Sequence, residues 1–266
     1  MRSMMRMNLV TLLAIVLILL TGTVEAKTRM SDEDASQIMD NLGPVDPLAA
    51  ADELSVGWRH LDAIQVLETY TDTSDSESLW RIARSRIDFA ELMSDQEAAE
   101  PHFLLAIDEA ERILANEPDN PEAHLRIATA SGRVALLRGP FSAIGLVKDT
   151  YRHALQAAAL GDSLPAASYI LGRTHRTLME KSGIIRRLAG LSFAAEDSIA
   201  YYFTQALTVA KGNMIQAHVE FADHLINDKD EIDEGRAHIE AALELPLKDE
   251  HDAEAQQKAR DLLSGL

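Results

Sequence analysis

What most constrains this chain is the way Pro and Gly interrupt an otherwise continuous helical pattern. Gly43-Pro44, Pro118 with Pro121, Gly139-Pro140, Gly161 with Pro165, Gly183, Gly212 and Pro246 each stand where one 3.6-residue period stops and another starts. Between them apolar residues recur at i, i+3, i+4, as in Leu61, Ile64, Leu67 and in Leu79, Ile82, Ala83, Ile87, Ala90. Nothing alternates with period two for long enough to make a sheet. The pattern predicts eleven helices, at about 46–57, 59–71, 75–93, 96–116, 121–137, 142–160, 164–181, 195–211, 213–227, 231–245 and 248–263. Their short connections make sequential helices antiparallel hairpins. The last one carries Ala255, Ala259, Leu262 and Leu263 on one stripe, as a cap on the preceding hairpin would.

The hairpins share an internal signature. An apolar residue followed by a small one recurs in the first helix of each, as Ile82-Ala83, Ile127-Ala128, Leu171-Gly172 and Phe221-Ala222. An Ala-Leu pair recurs in the second, as Ala154-Leu155, Ala206-Leu207 and Ala242-Leu243. Small side chains let two helices approach closely while the apolar neighbour fills the space to the next hairpin. That is the logic of a tetratricopeptide repeat. Its clearest junction is Asn116-Glu117-Pro118-Asp119-Asn120-Pro121, where Pro ends one helix and begins another. The spacing is uneven: 32 residues from Ala51 to Ala83, then 45, 44 and 50 to Ala128, Gly172 and Ala222. Degenerate repeats with insertions fit this, as does a HEAT-like array with its period of about 40–47. The expectation is an all-α, degenerate tetratricopeptide-like solenoid over 47–266, without a sheet.

Ahead of it lie two segments of different character. Residues 1–26 combine Arg2 and Arg6, an apolar run from Leu9 to Leu20 broken only by Thr11, and Val24-Glu25-Ala26 as a site for signal peptidase. This reads as a cleaved signal peptide, with an uncleaved N-terminal anchor as the alternative, because the run falls short of the ~20 residues of a spanning helix. Residues 27–46 form a polar lead. Cleavage would remove two bases and one acid, leaving 23 against 42 and a charge of −19. The expected location is the periplasm or the extracellular side, or membrane-anchored if the leader is retained.

Composition narrows the chemistry. With 25 Lys+Arg against 43 Asp+Glu the charge is −18, which opposes nucleic acid as a partner. The absence of Cys removes disulfides, thiolate metal sites and cysteine nucleophiles together. No His-Glu-x-x-His occurs, and His218 and His224 are six residues apart, off a common helix face. The acids at Asp228, Asp230, Asp233 and Glu234 lack the central Gly and closing Glu of a calcium loop. No phosphate-cradling loop or Gly-x-Ser-x-Gly is present. Neither catalytic residue, metal nor cofactor is predicted.

Several segments in fixed order resemble a known family: Leu79-Trp80-Arg81-Ile82-Ala83-Arg84, Pro121-Glu122-Ala123-His124, Ile170-Leu171-Gly172-Arg173, Ile184-Ile185-Arg186-Arg187-Leu188-Ala189 followed by Tyr201-Tyr202-Phe203, and Ala241-Ala242-Leu243-Glu244-Leu245-Pro246. Together they resemble the tetratricopeptide-like domain of the regulator of microtubule dynamics family, over about residues 48–264. The resemblance implies an all-helical interaction module. Eukaryotic members are associated with microtubules or organelle membranes, and an exported chain would inherit the fold and the binding character but not the microtubule role.

In such a superhelix the first helices line the concave face. The inward positions around the small residues select Trp80, Arg84, Thr129, Arg133, Tyr169, Arg173 and Arg176 as the binding set. Four Arg flanked by Trp80 and Tyr169 suit a carboxylate or an acidic peptide, through bidentate hydrogen bonds beside apolar contacts. The competing reading is that these Arg bridge to acids such as Asp88, Glu91 or Glu180 and brace the fold. The segment 182–195, with Ile184, Ile185, Leu188 and Leu191 beside Arg186 and Arg187, is expected either as a lid packed on the solenoid or as a short amphipathic contact for a membrane or partner helix. The function expected is a non-enzymatic, exported module that binds protein or peptide as an adaptor or scaffold in an envelope assembly. The alternative is a membrane-tethered structural or trafficking component, held by its N-terminus and the basic insertion.

Overall fold

The start signals in the sequence act as written. Asp46, Asp75, Asp95 and Asn120 accept hydrogen bonds from backbone N–H groups one to two residues into the helix each precedes, and Pro47 and Pro121 occupy first-turn positions where no N–H is needed. The computed structural model describes residues 32–139, 142–248 and 251–266, so the expected leader lies outside the described residues.

Among the described residues there are thirteen helices and no strand: α1 (Asp32–Leu42), α2 (Pro47–Val56), α3 (His60–Tyr70), α4 (Ser76–Glu91), α5 (Gln96–Leu114), α6 (Pro121–Arg138), α7 (Ile144–Leu160), α8 (Pro165–Met179), α9 (Gly183–Ala189), α10 (Asp197–Val209), α11 (Ile215–Lys229), α12 (Ile232–Glu244) and α13 (Asp252–Ser264). They pair as hairpins α2/α3, α4/α5, α6/α7, α8/α10 and α11/α12. The first helices also touch in succession, α2 on α4, α4 on α6, α6 on α8 and α8 on α11. This is a tetratricopeptide-like solenoid.

Small residues sit at the crossings. Ala51, Ala83, Ala128 and Ala222 are fully buried in the first helices, as are Ala154, Ala206 and Ala242 in the second. At Gly172 an added Cβ would lie 3.0 Å from the ring of Phe203 on α10, so only the absence of a side chain permits this approach. The uneven spacing has two causes. Helices α4 to α7 run to 16, 19, 18 and 17 residues against 10 and 11 for α2 and α3, and α9 is inserted between α8 and its partner α10.

Two hairpins carry the same internal latch. On α6, His124 Nε2 meets the Pro118 carbonyl at 2.9 Å and its Nδ1 meets His153 Nδ1 of α7 at 2.8 Å. On α11, His218 Nε2 meets the Gly212 carbonyl at 3.1 Å and its Nδ1 meets His238 Nδ1 of α12 at 2.8 Å. The carbonyl fixes the tautomer: His124 and His218 donate through Nε2, so their Nδ1 atoms accept from His153 and His238. Each pair is neutral, since a second proton would set two N–H groups face to face. Burial first, and the facing imidazole second, push His153 and His238 down to about 4.

Periodicity starts the first helix at 46, whereas the structure adds α1 within the polar lead, its Ala35 and Ile38 buried against the α2/α3 pair. At the other end, α13 caps the array as its stripe requires. Ala259 is buried, and Ala255, Leu262 and Leu263 pack on Ile215, Val219, Ala222, Ile239 and Ala242.

Candidate functional site

The inner faces of α4, α6, α8 and α11, together with α13, enclose a groove of about 510 Å³. Its floor is apolar, with Ile87, Leu125, Ala128, Ile170 and Val219 contributing. Its size falls in the range of a site for a small ligand or a peptide end, about 300–1,000 Å³. The C-terminal helix contributes Glu254, Ala255 and Lys258, with His251 just before it, and so closes one side. His251 reaches Glu91 on α4, which ties the end of the chain to the second hairpin.

Four of the seven expected residues meet here. Thr129, Arg133, Tyr169 and Arg173 line the groove, one helical step apart on α6 and α8. Thr129 donates its hydroxyl to the Leu125 carbonyl at 2.9 Å. Arg133 is ion-paired with Glu91, a carboxylate only 8% exposed. Burial pushes Glu91 upward, but His251 and Arg133 outweigh it and hold it below the ordinary carboxylate range. Arg133 is therefore charged but already answered. Arg173 lies with its guanidinium 5.7 Å from the Tyr169 ring and donates to the Tyr169 hydroxyl. Burial raises the Tyr169 hydroxyl above its ordinary value, so it stays protonated. Among the described residues Arg173 forms no ion pair, and Glu220 and Glu91 support its charge only at longer range.

The other three residues do not join the groove, and the convergence of four Arg is corrected to two. Arg84 bonds Asp52 on α2 at 2.8 Å, beside Arg81, which shares the same carboxylate at 3.1 Å. Both guanidinium groups lie over Trp80, at 5.2 and 4.2 Å from its ring, and Trp80 itself packs on the cluster of Ala110, Ile113, Ala123 and Ile127, so it braces α4 against α5 and α6. Arg176 points from α8 to α11, where it contacts Glu220 at 3.2 Å, Asp223 at 3.0 Å and Asp228 at 3.0 Å. Burial raises Asp223, but Arg176, Lys258 and Asn227 prevail and hold it far below its ordinary value. Arg176 is a strut: three residues beyond Arg173 it stands about 60° round the helix, at the margin of the groove face, where three carboxylates of α11 hold it.

Three basic groups of the site were outside the expected set: Arg126 of α6, paired with Glu122, and two from the cap. Lys258 on α13 contacts Glu220 at 3.0 Å and Asp223 at 2.7 Å, and His251 holds Glu91. Both come from the cap, whose return across the concave face has no signal in local sequence. Among the described residues no group of three or more His, Cys, Asp or Glu is placed to hold a metal, and no helix is long and apolar enough to cross a membrane.

Comparisons with known proteins agree with this architecture. The crystal structure of a thermophilic TPR protein from Thermus thermophilus superposes with a TM-score of 0.60 at 15% identity, over 82% of this chain and 97% of that one. That likeness establishes the fold and decides for tetratricopeptide-like hairpins over a HEAT array. Regulator of microtubule dynamics protein 1 from Bos taurus is 29% identical over 139 residues, which is 52% of this chain and 44% of that protein, so the chain spans under half the length of the curated relative it matches. The family described as regulator of microtubule dynamics protein 1-3 matches over residues 48–266, nearly the whole described array from α2 to α13, and the chain belongs to that family.

Proposed function

We propose that the chain is a non-enzymatic interaction module that receives an acidic peptide, or the carboxylate of a protein partner, in its concave groove, and that it works as an exported adaptor or scaffold in an envelope assembly. The observation that carries this reading is Arg173, a half-buried guanidinium lining the groove that forms no ion pair and feels Glu220 and Glu91 only at longer range, while Arg84, Arg133 and Arg176 are each ion-paired. An incoming carboxylate would gain charge-assisted hydrogen bonds worth about 1.5–3 kcal/mol there. Tyr169 offers an aromatic face beside it, and Thr129 and the apolar floor fit the flanking side chain. Export rests on the leader alone, with cleavage after Ala26.

Titration with fluorescent peptides ending in Asp or Glu tests the site. Arg173→Ala is expected to weaken binding about tenfold or more, and Arg173→Lys to restore only part, because an ammonium cannot reproduce the planar fork. Equal affinity in all three proteins would refute the groove reading. Mass spectrometry of the isolated protein tests export. A mature chain starting at Lys27 is expected, and retention of Met1 would favour the tethered alternative.

A further inference from the structure

Helix α9 alone among the described helices buries none of its residues. Ile184, Ile185 and Leu188 are 74%, 48% and 84% exposed, and their i, i+3 and i+4 relation puts all three on one face. The lid expectation is thus met only by the turn that follows. Leu191 and Ala194 are buried against Leu178, Val147 and Met179. Phe193 stacks on Tyr151 with centroids 3.8 Å apart, and the Ala195 N–H donates to His175 Nδ1 at 3.1 Å. Ser182 caps the helix start, and Gly190, with φ +67, ends it. The apolar face is therefore presented on an anchored support, where nothing in the packing requires Ile or Leu.

The charge around this face is the reverse of the rest of the molecule. From Lys181 to Ala195 there are three basic residues and no Asp or Glu, in a chain of net charge −18. Arg187 is exposed, and Arg186 leans on Met179. Lys148 of α7 comes to the same end, its Nζ 2.9 Å from where a Cβ on Gly190 would stand. Acids flank the segment on both sides: Glu180 is 3.7 Å from Lys181 and pairs with it, and Glu196 pairs with Lys229 of α11.

We propose that α9 is a docking element for an anionic lipid bilayer, with Ile184, Ile185 and Leu188 entering the boundary between headgroups and acyl chains while Arg187, Lys148 and Lys181 meet headgroup phosphates. Charge complementarity selects this occupant, because the patch joins exposed aliphatic side chains to the exposed bases Arg187, Lys148 and Lys181, of which Glu180 answers only the last. Seven residues give a weak, reversible contact that depends on anionic lipid and fades as salt shortens the Debye length. This inference stands apart from the groove reading.

Flotation of the full chain with vesicles of phosphatidylcholine alone, or with about 30% phosphatidylglycerol, tests it. Recovery with the anionic vesicles is expected, with little on the neutral ones and less at high salt. Ile184→Ser/Ile185→Ser/Leu188→Ser and, separately, Arg186→Glu/Arg187→Glu should each lower recovery about tenfold. All five positions lie off the packed core, so the melting temperature should hold. Arg173→Ala, in the groove, should float like the unaltered chain, which keeps the two readings separable. Unchanged recovery in both surface variants would assign any membrane contact to residues 1–26 and overturn the proposal. So would the absence of binding by the unaltered chain, or surface variants that lost only self-association.

Discussion

The hairpins α6/α7 and α11/α12 are built to one plan, and the hairpin α8/α10 between them is not. In the first two, a His four residues before the crossing Ala reaches back to a turn carbonyl and across to a second His on the partner helix. In the middle hairpin Ser168 holds the equivalent position, the crossing residue is Gly172, and α9 interrupts the path to α10. The flanking hairpins are closed structural units. The middle one carries what the fold does not use, an unpaired guanidinium facing the groove and an apolar face turned to water. The lesson is that unassigned chemistry gathers where the repeat departs from its own rule.

The largest effect is expected from removing α13, which closes the α11/α12 unit and one wall of the groove together. Ending the chain at His251 would expose the surface under Ala255, Ala259, Leu262 and Leu263, at a cost of roughly 3–6 kcal/mol. Thermal melting and light scattering should show a lower transition and association. A monomer melting where the full chain does would show that α11/α12 needs no cap. Next comes Arg176→Ala, which cuts the tie between the middle hairpin and α11. It leaves Glu220 and Asp223 with Lys258 alone and should cost about 2–3 kcal/mol, less than a fully buried pair because water reaches the cluster. Stability within error of the unaltered protein would mean that the three carboxylates do not hold the hairpins together.

Acid should act on the flanking hairpins and spare the middle one's ion pairs until much lower pH. His153 and His238 are near 4 in the fold against 6.5 as free side chains, so the unfolded chain binds the extra protons first. Their contribution is complete above pH 6.5 and is lost as pH falls toward 4. His124, His218, His102 and His175 are lowered as well, each mainly by burial, and tilt the curve the same way. Because His153 and His238 are only partly buried, the two latches together should account for about 1–2 kcal/mol over that range. Denaturant midpoints measured between pH 7 and pH 4 should fall, and His153→Asn with His238→Asn should flatten the slope. A slope unchanged by both substitutions would remove the latches from the account.

The contrast also separates what local sequence can and cannot reveal. The crossings were legible because Ala83, Ala128, Gly172 and Ala222 must be small wherever two helices touch, and helix starts because Asn120-Pro121 satisfies its own backbone locally. The latches had a signal too: Ala123-His124 and Ala217-His218 stand in the same register before Ala128 and Ala222. Weighing His as a metal ligand hides that repeat, since each partner lies on another helix. Charge pairing was legible only at Glu91, expected among the bracing acids and found on Arg133. Arg84 finds Asp52 across 32 residues and Arg176 finds Asp223 across 47, distances set by the superhelix and by no local period. Helix α1 escaped for a related reason. Its few apolar residues make a face only once α2 and α3 are there to receive them.

The smallest stability effect is expected three residues from one of the largest. Arg173 and Arg176 share α8, the same residue type and partial burial, yet differ in what surrounds the guanidinium. Removing Arg176 strands carboxylates that the fold has desolvated. Removing Arg173 strands no ion-paired carboxylate, since Glu220 keeps Arg176 and Lys258, Glu91 keeps Arg133 and His251, and Tyr169 can turn its hydroxyl to water in the groove. Arg173→Ala should therefore leave the melting temperature within the range of an ordinary surface change, about 0.5 kcal/mol either way. Glu220 is the carboxylate that acts on both, pairing with Arg176 and attracting Arg173 at longer range, so the double variant should fall below Arg176→Ala only by the small increment that Glu220 contributes. A large loss in Arg173→Ala, or strong coupling between the two substitutions, would make Arg173 a second strut and would remove the free charge on which the groove's preference for a carboxylate depends.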